Sequence, residues 1–372
     1  MFSARKKWFA AIAAASVVAA CGGGGDSMST VGSGTGMGPG FVATSLVTDV
    51  NTSANPYASS NTDAHLVNSW GIAFNPQGFV WVADAGTSTS TLYDGNGVAQ
   101  SLVVTIPPGS AGSASPTGIV FNGGSGFAVS QGGVTAPSVF IFVGEAGTVS
   151  GWAPGVNATA AIRVVDGAAA SKVYKGATLA TTGNGTLLYA ADFHNGNVDV
   201  FDANFAPVAV AGGFIDAMLP AGYAPFGIQA VGDLIYVAYA KQDAQARNPV
   251  AGAGLGALDA FDTAGRLVMR LVAPGGALDA PWGIALAPAS FGAFGNALLV
   301  GNFGDGTIAA FEPSTGKALG KLTGADGNPI RVDGLWGIAF GNGINAQPAD
   351  TLFFAAGPAG ESHGVYGRID LH

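Results

Sequence analysis

Charge, cysteine and helix-forming runs are all scarce in this chain. Of its 372 residues 10% are charged and one is cysteine, so no intrachain disulfide is possible. No stretch of strong helix formers runs beyond about one turn, and the 60 glycines show no Gly-X-Y period, which removes coiled coils, helical bundles and collagen. The N-terminal apolar stretch, Trp8 to Ala20, is 13 residues, short of the roughly 20 that cross a bilayer as a helix. There is no Gly-x-Ser-x-Gly elbow and no Walker loop, so those two hydrolase chemistries lack their motif. Against these absences stand 48% apolar residues, enough to bury a large core. An all-β chain rich in turns remains.

The basic residues Arg5, Lys6 and Lys7 followed by an apolar stretch have the order of a secretory signal over residues 1–20. Its end, Val18-Ala19-Ala20-Cys21, resembles the lipobox of bacterial lipoproteins. That resemblance implies cleavage before Cys21 and a lipid on its thiol, and Gly22 in place of an aspartate implies sorting to a Gram-negative outer membrane. Residues 21–40 have the composition of a flexible Gly/Ser tether, and 41–372 the composition of the folded domain. Cleavage removes three basic residues, leaving 14 − 3 = 11 against 23 acidic ones, a formal charge of −12. A charge of that sign repels nucleic acid and anionic lipid surfaces, so contact with a membrane is expected through the lipid anchor only.

An internal repeat organises the rest. Trp70-Gly71-Ile72, Thr117-Gly118-Ile119, Phe226-Gly227-Ile228, Trp282-Gly283-Ile284 and Trp336-Gly337-Ile338 are five copies, and Lys175-Gly176-Ala177 is a degenerate sixth. The glycines are spaced by 47, 58, 51, 56 and 54 residues, the size of a propeller blade. A second apolar stretch follows each motif, as in Leu187 to Ala191 and Leu298 to Gly301. A hairpin leads to a third strand, clearest in Asn195-Gly196-Asn197-Val198-Asp199-Val200-Phe201. Polar fourth strands are expected at Val98 to Ile106, Ala161 to Val165, Arg266 to Val272 and Lys317 to Leu322. Four strands in each of six units predict a six-bladed β-propeller. The last unit runs out after three strands while Phe41 to Val47 precedes the first motif, so the N-terminal strand is expected to complete the last blade.

The wording Ala191-Asp192 to Asp202 resembles the NHL repeat of six-bladed propellers. Residues 41 to 370 also resemble a bacterial propeller family described as PEP-CTERM-associated conserved hypothetical proteins. The stretches that carry this are His65 to Ala73, Tyr189 to Gly196, Leu219 to Phe226, Ala251 to Gly256 and Leu299 to Gly306. The resemblance implies the fold and no particular activity.

In a propeller, the loops entering the innermost strands and the loops leaving the second strands share one face, here termed the top. It is expected to collect Asn68, Trp70, Phe226, Trp282 and Trp336 from strand entries, and Asp84, Gln131, Asp192, Lys241 and Asn302 from second-strand exits. The tryptophans either wedge between blades or line a ligand pocket. Asp84, Asp192 and Asn302 either cap their own turns or converge on the channel mouth to hold a hard cation such as calcium, as resembling lactonase propellers do. Among the histidines, His65 and His194 are candidates for a general base. Two functions follow: a binding module for protein, peptide or glycan, or a cation-dependent hydrolase or lyase of the lactonase type.

Overall fold

The computed structural model describes residues 40–372 except Ala54; the expected signal, tether and Cys21 lie outside them. Six small sheets, antiparallel but for one two-residue pairing in the last, follow one another along the chain as blades of a six-bladed β-propeller. Their innermost strands are Ser69–Phe74, Pro116–Phe121, Tyr174–Thr182, Tyr223–Val231, Pro281–Leu286 and Leu335–Phe340. These open blades one to six, and each carries one Gly-Ile or Gly-Ala motif. Ring closure follows the sequence expectation: Phe41–Thr48 lies antiparallel to Val365–Leu371, with Phe41 opposite Leu371 and Thr48 opposite Val365.

The glycine of the motif has a steric cause. A Cβ on Gly227 would stand 1.9 Å from the carbonyl oxygen of Trp282, and one on Gly283 2.5 Å from that of Trp336. Likewise Gly337 would meet Trp70, and Gly71 would meet Thr117, both at 2.5 Å from the carbonyl oxygen. Each inner strand therefore lies directly against the next around the axis, closer than any side chain permits. Gly118 and Gly176 complete the circle against Ala177 and Phe226.

Strand residues alternate between two neighbouring blades, which is why the second strands read as unbroken apolar runs. On Leu234–Lys241, Val237 and Tyr239 pack toward blade three while Tyr236 and Ala238 pack toward blade five. Among the described residues, six apolar clusters lie between adjacent blades, and a seventh lies on the axis.

Three blades depart from the four-strand expectation; in blade six a fifth strand, Asn61–Thr62, pairs in parallel outside Phe41–Thr48. Blade three has three strands, Tyr174–Thr182, Gly185–Asp192 and Asn197–Phe201, and where a fourth would pair there is only a bridge from Phe201 to Pro207. Proline lacks the N–H that a ladder needs, and a Gly212-Gly213 pair follows. In blade two, a hairpin of Ala128–Gln131 and Val134–Pro137 is inserted before the true second strand, Phe140–Gly144. The outer strand of blade one is also shorter than expected, Val104–Thr105.

Candidate functional site

In five of the six blades the residue preceding the motif glycine points into the axis at the top end; Thr117 of blade two instead donates to the Val143 and Tyr174 carbonyls. Trp70 and Trp336 stack with ring centroids 3.4 Å apart. Trp282 stands edge-on to Trp70 at 5.7 Å, Phe226 lies 5.8 Å from Trp336, and Phe303 stacks on the other face of Trp336 at 4.0 Å. Aromatic pairs at these spacings attract beyond the area they bury. The four expected aromatics are thus brought together, but neither as interblade wedges nor around an open pocket: they plug the channel. Below the plug, at the glycine waist, the axis holds a cavity of about 40 Å³. It opens at the bottom into two adjoining concavities of about 280 and 270 Å³, lined by mostly apolar side chains and strand backbone, that share Ile72, Gln229 and Ala339.

Degenerate blades supply the polar part of the plug. Lys175 holds the tryptophan position in blade three and is 1% exposed. Its Nζ lies 5.0 Å from the Trp70 ring and 5.9 Å from that of Phe226, and it donates to the Glu145 carboxylate. An ammonium over several rings gains cation–π attraction that offsets part of its desolvation. Glu145 follows the second strand of blade two and so occupies the place expected for Gln131.

Asn68 connects the plug to a second carboxylate. Its Oδ1 accepts from Trp336 Nε1 at 3.2 Å, and its Nδ2 donates to Glu361 Oε2 at 2.9 Å. Burial pushes the Glu361 carboxyl above its ordinary range, against the Asn68 hydrogen bond and the Lys175 charge, which both pull it down. The loop carrying Glu361 is strained: Ala359, Gly360 and Glu361 have φ of 54°, 65° and 68° in succession, and Asn68 has 47°. Consecutive left-handed residues persist only where surrounding contacts hold them. The contacts here are Asn68 on Glu361 and Asp333 accepting from Ala359 N–H at 2.8 Å.

The same loop carries His363. Its Nδ1 lies 2.6 Å from Asp49 Oδ2, and Asp49 is fixed by Asn55 Nδ2 at 2.7 Å and by the Gly364 N–H at 3.2 Å. A carboxylate on Nδ1 orients the ring and leaves Nε2 outward. The candidate bases sit differently. His65 is half-exposed and pairs with Asp63 at 2.9 Å, while the carbonyl of His194 accepts from Gln242 Nε2 at 3.3 Å.

The three residues expected to hold calcium each serve their own blade. Asp84 accepts from Ser69 Oγ at 3.0 Å and Thr91 Oγ1 at 2.9 Å, and burial raises its pKa well above the ordinary value. Asp192 accepts from Val173 N–H, Asn195 and Lys172. Asn302 accepts from Asp279 N–H at 3.0 Å and donates to Thr307 Oγ1 at 3.2 Å. Asp192 and Asn302 take backbone N–H groups as turn caps do, whereas Asp84 joins the hydroxyls of two neighbouring strands; among the described residues no three His, Cys, Asp or Glu gather to hold a metal ion. Gln131 is a correction: it ends the first arm of the inserted hairpin, is exposed, and accepts from Asn157 Nδ2 at 2.9 Å, at the end of blade two opposite the strand entries. The apolar Phe127-Ala128-Val129 before it mimicked a second strand. Lys241 ends its second strand at the top, 5.4 Å from the Tyr223 ring. Glu145, Lys175, Glu361 and Asp49, the partner of His363, were missed, since the groups they meet lie in another blade or at the far end of the chain and share no sequence spacing.

No family model matches the chain, so the PEP-CTERM resemblance rests on the quoted stretches alone. Among solved structures, a protein of unknown function from Bacteroides thetaiotaomicron is 12% identical with a TM-score of 0.51, covering 89% of this chain and 76% of that one. A gluconolactonase from Xanthomonas campestris is 14% identical with a TM-score of 0.47, covering 83% and 87%. At such identity the likeness is one of fold. By sequence, "Uncharacterized protein R648" of Acanthamoeba polyphaga mimivirus is 33% identical over 319 residues, 84% of this chain and 76% of the relative. On that identity and coverage the chain belongs to the family of the mimivirus R648 protein.

Proposed function

We propose that the protein is an exported, lipid-tethered binding module whose top face takes a polar ligand, a protein, peptide or glycan, over the crown of Glu361, Asn68, Glu145 and Lys175. The observation that supports this reading is the strained 357–364 loop, which holds a desolvated Glu361 carboxylate above an aromatic floor. A half-buried acceptor of that kind gains from a ligand's hydroxyl, amide or ammonium donors. The tether is proposed from the lipobox resemblance of Cys21, with the outer membrane as its place. Phe41 starts its strand of blade six at the bottom end, against Phe291 at 4.8 Å, so the proposed tether joins the domain at the end opposite the top face.

Two experiments test it. Cys21→Ser should abolish incorporation of an alkyne fatty acid in a bacterial host, and labelling that persists overturns the anchor. The full chain and Glu361→Gln should be compared on peptide and glycan panels and in envelope pull-downs. Ligands should be lost or weakened at least tenfold in the variant; equal retention overturns the top-face reading.

A second reading has one observation in its favour. Asp49 holds His363 as it would hold a general base, and a hydrolase or lyase of the lactonase type would use it. Turnover of an ester and lactone panel that is lost in His363→Gln would establish that reading, and sensitivity to a chelator would bring back a divalent cation as cofactor.

A further inference from the structure

Blade four contains a buried carboxylate that the top-face site does not use. Asp259 lies on Gly256–Asp262, opposite Val237 on one side and Arg270 on the other, so its side chain faces blade three. It is 0% exposed, and no N–H or hydroxyl donor reaches either carboxylate oxygen; a hydrogen bond with the Asp216 carboxylate is open to it only in the protonated form. The hydroxyl of Tyr239, its diagonal neighbour on the same sheet face, is likewise buried without a partner. Over this face runs the connection from blade three to blade four. It is pinned by Phe214, whose ring lies 5.6 Å from Tyr189 of blade three and 5.2 Å from Phe261 of blade four. It is pinned again by Asp216, whose carboxylate takes Arg270 Nε at 2.9 Å and Arg270 Nη2.

The charged and titratable groups facing Asp259 are therefore Asp216 from the connection, and Arg270 and Tyr239 from its own blade. Blade three contributes Tyr189, whose hydroxyl is donated to the Thr263 carbonyl at 2.8 Å. One arginine stands against two carboxylates, and it is spent on the one in the connection. An ionised carboxylate without a hydrogen bond in such a place is costly, whereas the protonated acid is tolerated. Desolvation first, and the Asp216 charge second, raise the pKa of Asp259 to about 7.

We propose that Asp259, Asp216 and Arg270 form a proton-controlled latch on the connection 211–222: closed when Asp259 is protonated, released when it ionises. Asp259 is fixed by strand pairing on both sides, so when its charge appears Arg270 must be shared, and the element free to yield is the loop bearing Asp216. Release withdraws Phe214 from between two blades and adds it to the exposed Ile215 and Met218, which are 68% and 74% exposed in the closed form.

Amide hydrogen exchange on the full chain tests the latch, with pH 6.0 and 8.5 compared after correction for intrinsic exchange and blade five as internal reference. Residues 211–222 should exchange at least tenfold faster, relative to blade five, at pH 8.5. Asp259→Asn should remain protected at both values, and Asp216→Asn should be open at both. Equal protection of the wild type at the two pH values overturns the latch, as does an undiminished pH response in Asp259→Asn. If that variant fails to fold, the infrared carboxylic-acid band of the wild type decides: a buried acid band lost between pH 6 and 8 is expected, and its absence overturns the proposal.

Discussion

The two ends of the propeller axis are built by the same six inner strands and are nothing alike. At the top the channel is shut by stacked tryptophans and a buried lysine; at the bottom it opens into a mouth lined by mostly apolar side chains and strand backbone. Three consecutive residues make the difference. In Trp-Gly-Ile the tryptophan reaches the axis at the top, the glycine admits the next strand at the waist, and the isoleucine lines the cavity leading to the mouth. The top is also where loops from distant blades meet and where three consecutive left-handed residues, Ala359 to Glu361, hold a desolvated carboxylate. The bottom has the larger concavities, but Gln229 and Thr178 are their only polar side chains. Size marks the bottom and converging chemistry the top, and recognition needs the chemistry.

Breaking this contrast should cost most at the plug. Trp336→Ala removes the ring between Trp70 and Phe303, and by the range for buried aromatics should cost about 4 kcal/mol of unfolding free energy in denaturant titrations. Gly227→Ala forces a methyl against the Trp282 carbonyl and should cost about 3 kcal/mol, the upper end of overpacking; a loss under about 1 kcal/mol would mean the waist is looser than it looks. Lys175→Met leaves Glu145 without its partner and should cost about 2 kcal/mol, below the range for fully buried pairs because Glu145 keeps 21% of its side chain exposed. The Lys175→Met, Glu145→Gln double variant should recover most of that, a non-additivity read from the thermodynamic cycle.

The latch has a pH signature. Asp259 binds its proton with a pKa near 7 in the folded protein against 3.8 ordinarily. The folded state therefore holds the extra proton between those values, and stability falls as pH rises from about 4 to 7, levelling off above. A three-unit shift at about 1.4 kcal/mol per unit is halved, to about 2 kcal/mol, by resolvation of the carboxylate as the connection opens. Asp259→Asn should flatten that slope in chemical denaturation measured across the range. The smallest effect belongs to the mouth: Leu286→Ser, on a side chain 44% exposed, should change stability by less than about 0.5 kcal/mol and leave top-face binding unaltered.

The periodic features of this chain were legible in its sequence because their causes are local and repeated. Six motif glycines gave the blades, apolar runs the second strands, and a spare first strand the closure. Blade three defeated the count because Pro207 removes a donor within an otherwise acceptable strand. Gln131 was misplaced because an inserted hairpin begins with a strand-like run. The crown was illegible for another reason. His363 and Asp49 are 314 positions apart in sequence, and Asn68 and Glu361 are 293 apart; both pairs exist only because the chain's two ends close one ring. Lys175 looked like a damaged repeat, and its partner Glu145 stands 30 residues away in another blade. Sequence by itself determined strands, blades and closure, since hydrophobic period and backbone sterics act over a few residues. Which side chains meet on the axis was decided by the ring alone, because loops without a period are brought together there by geometry and not by spacing.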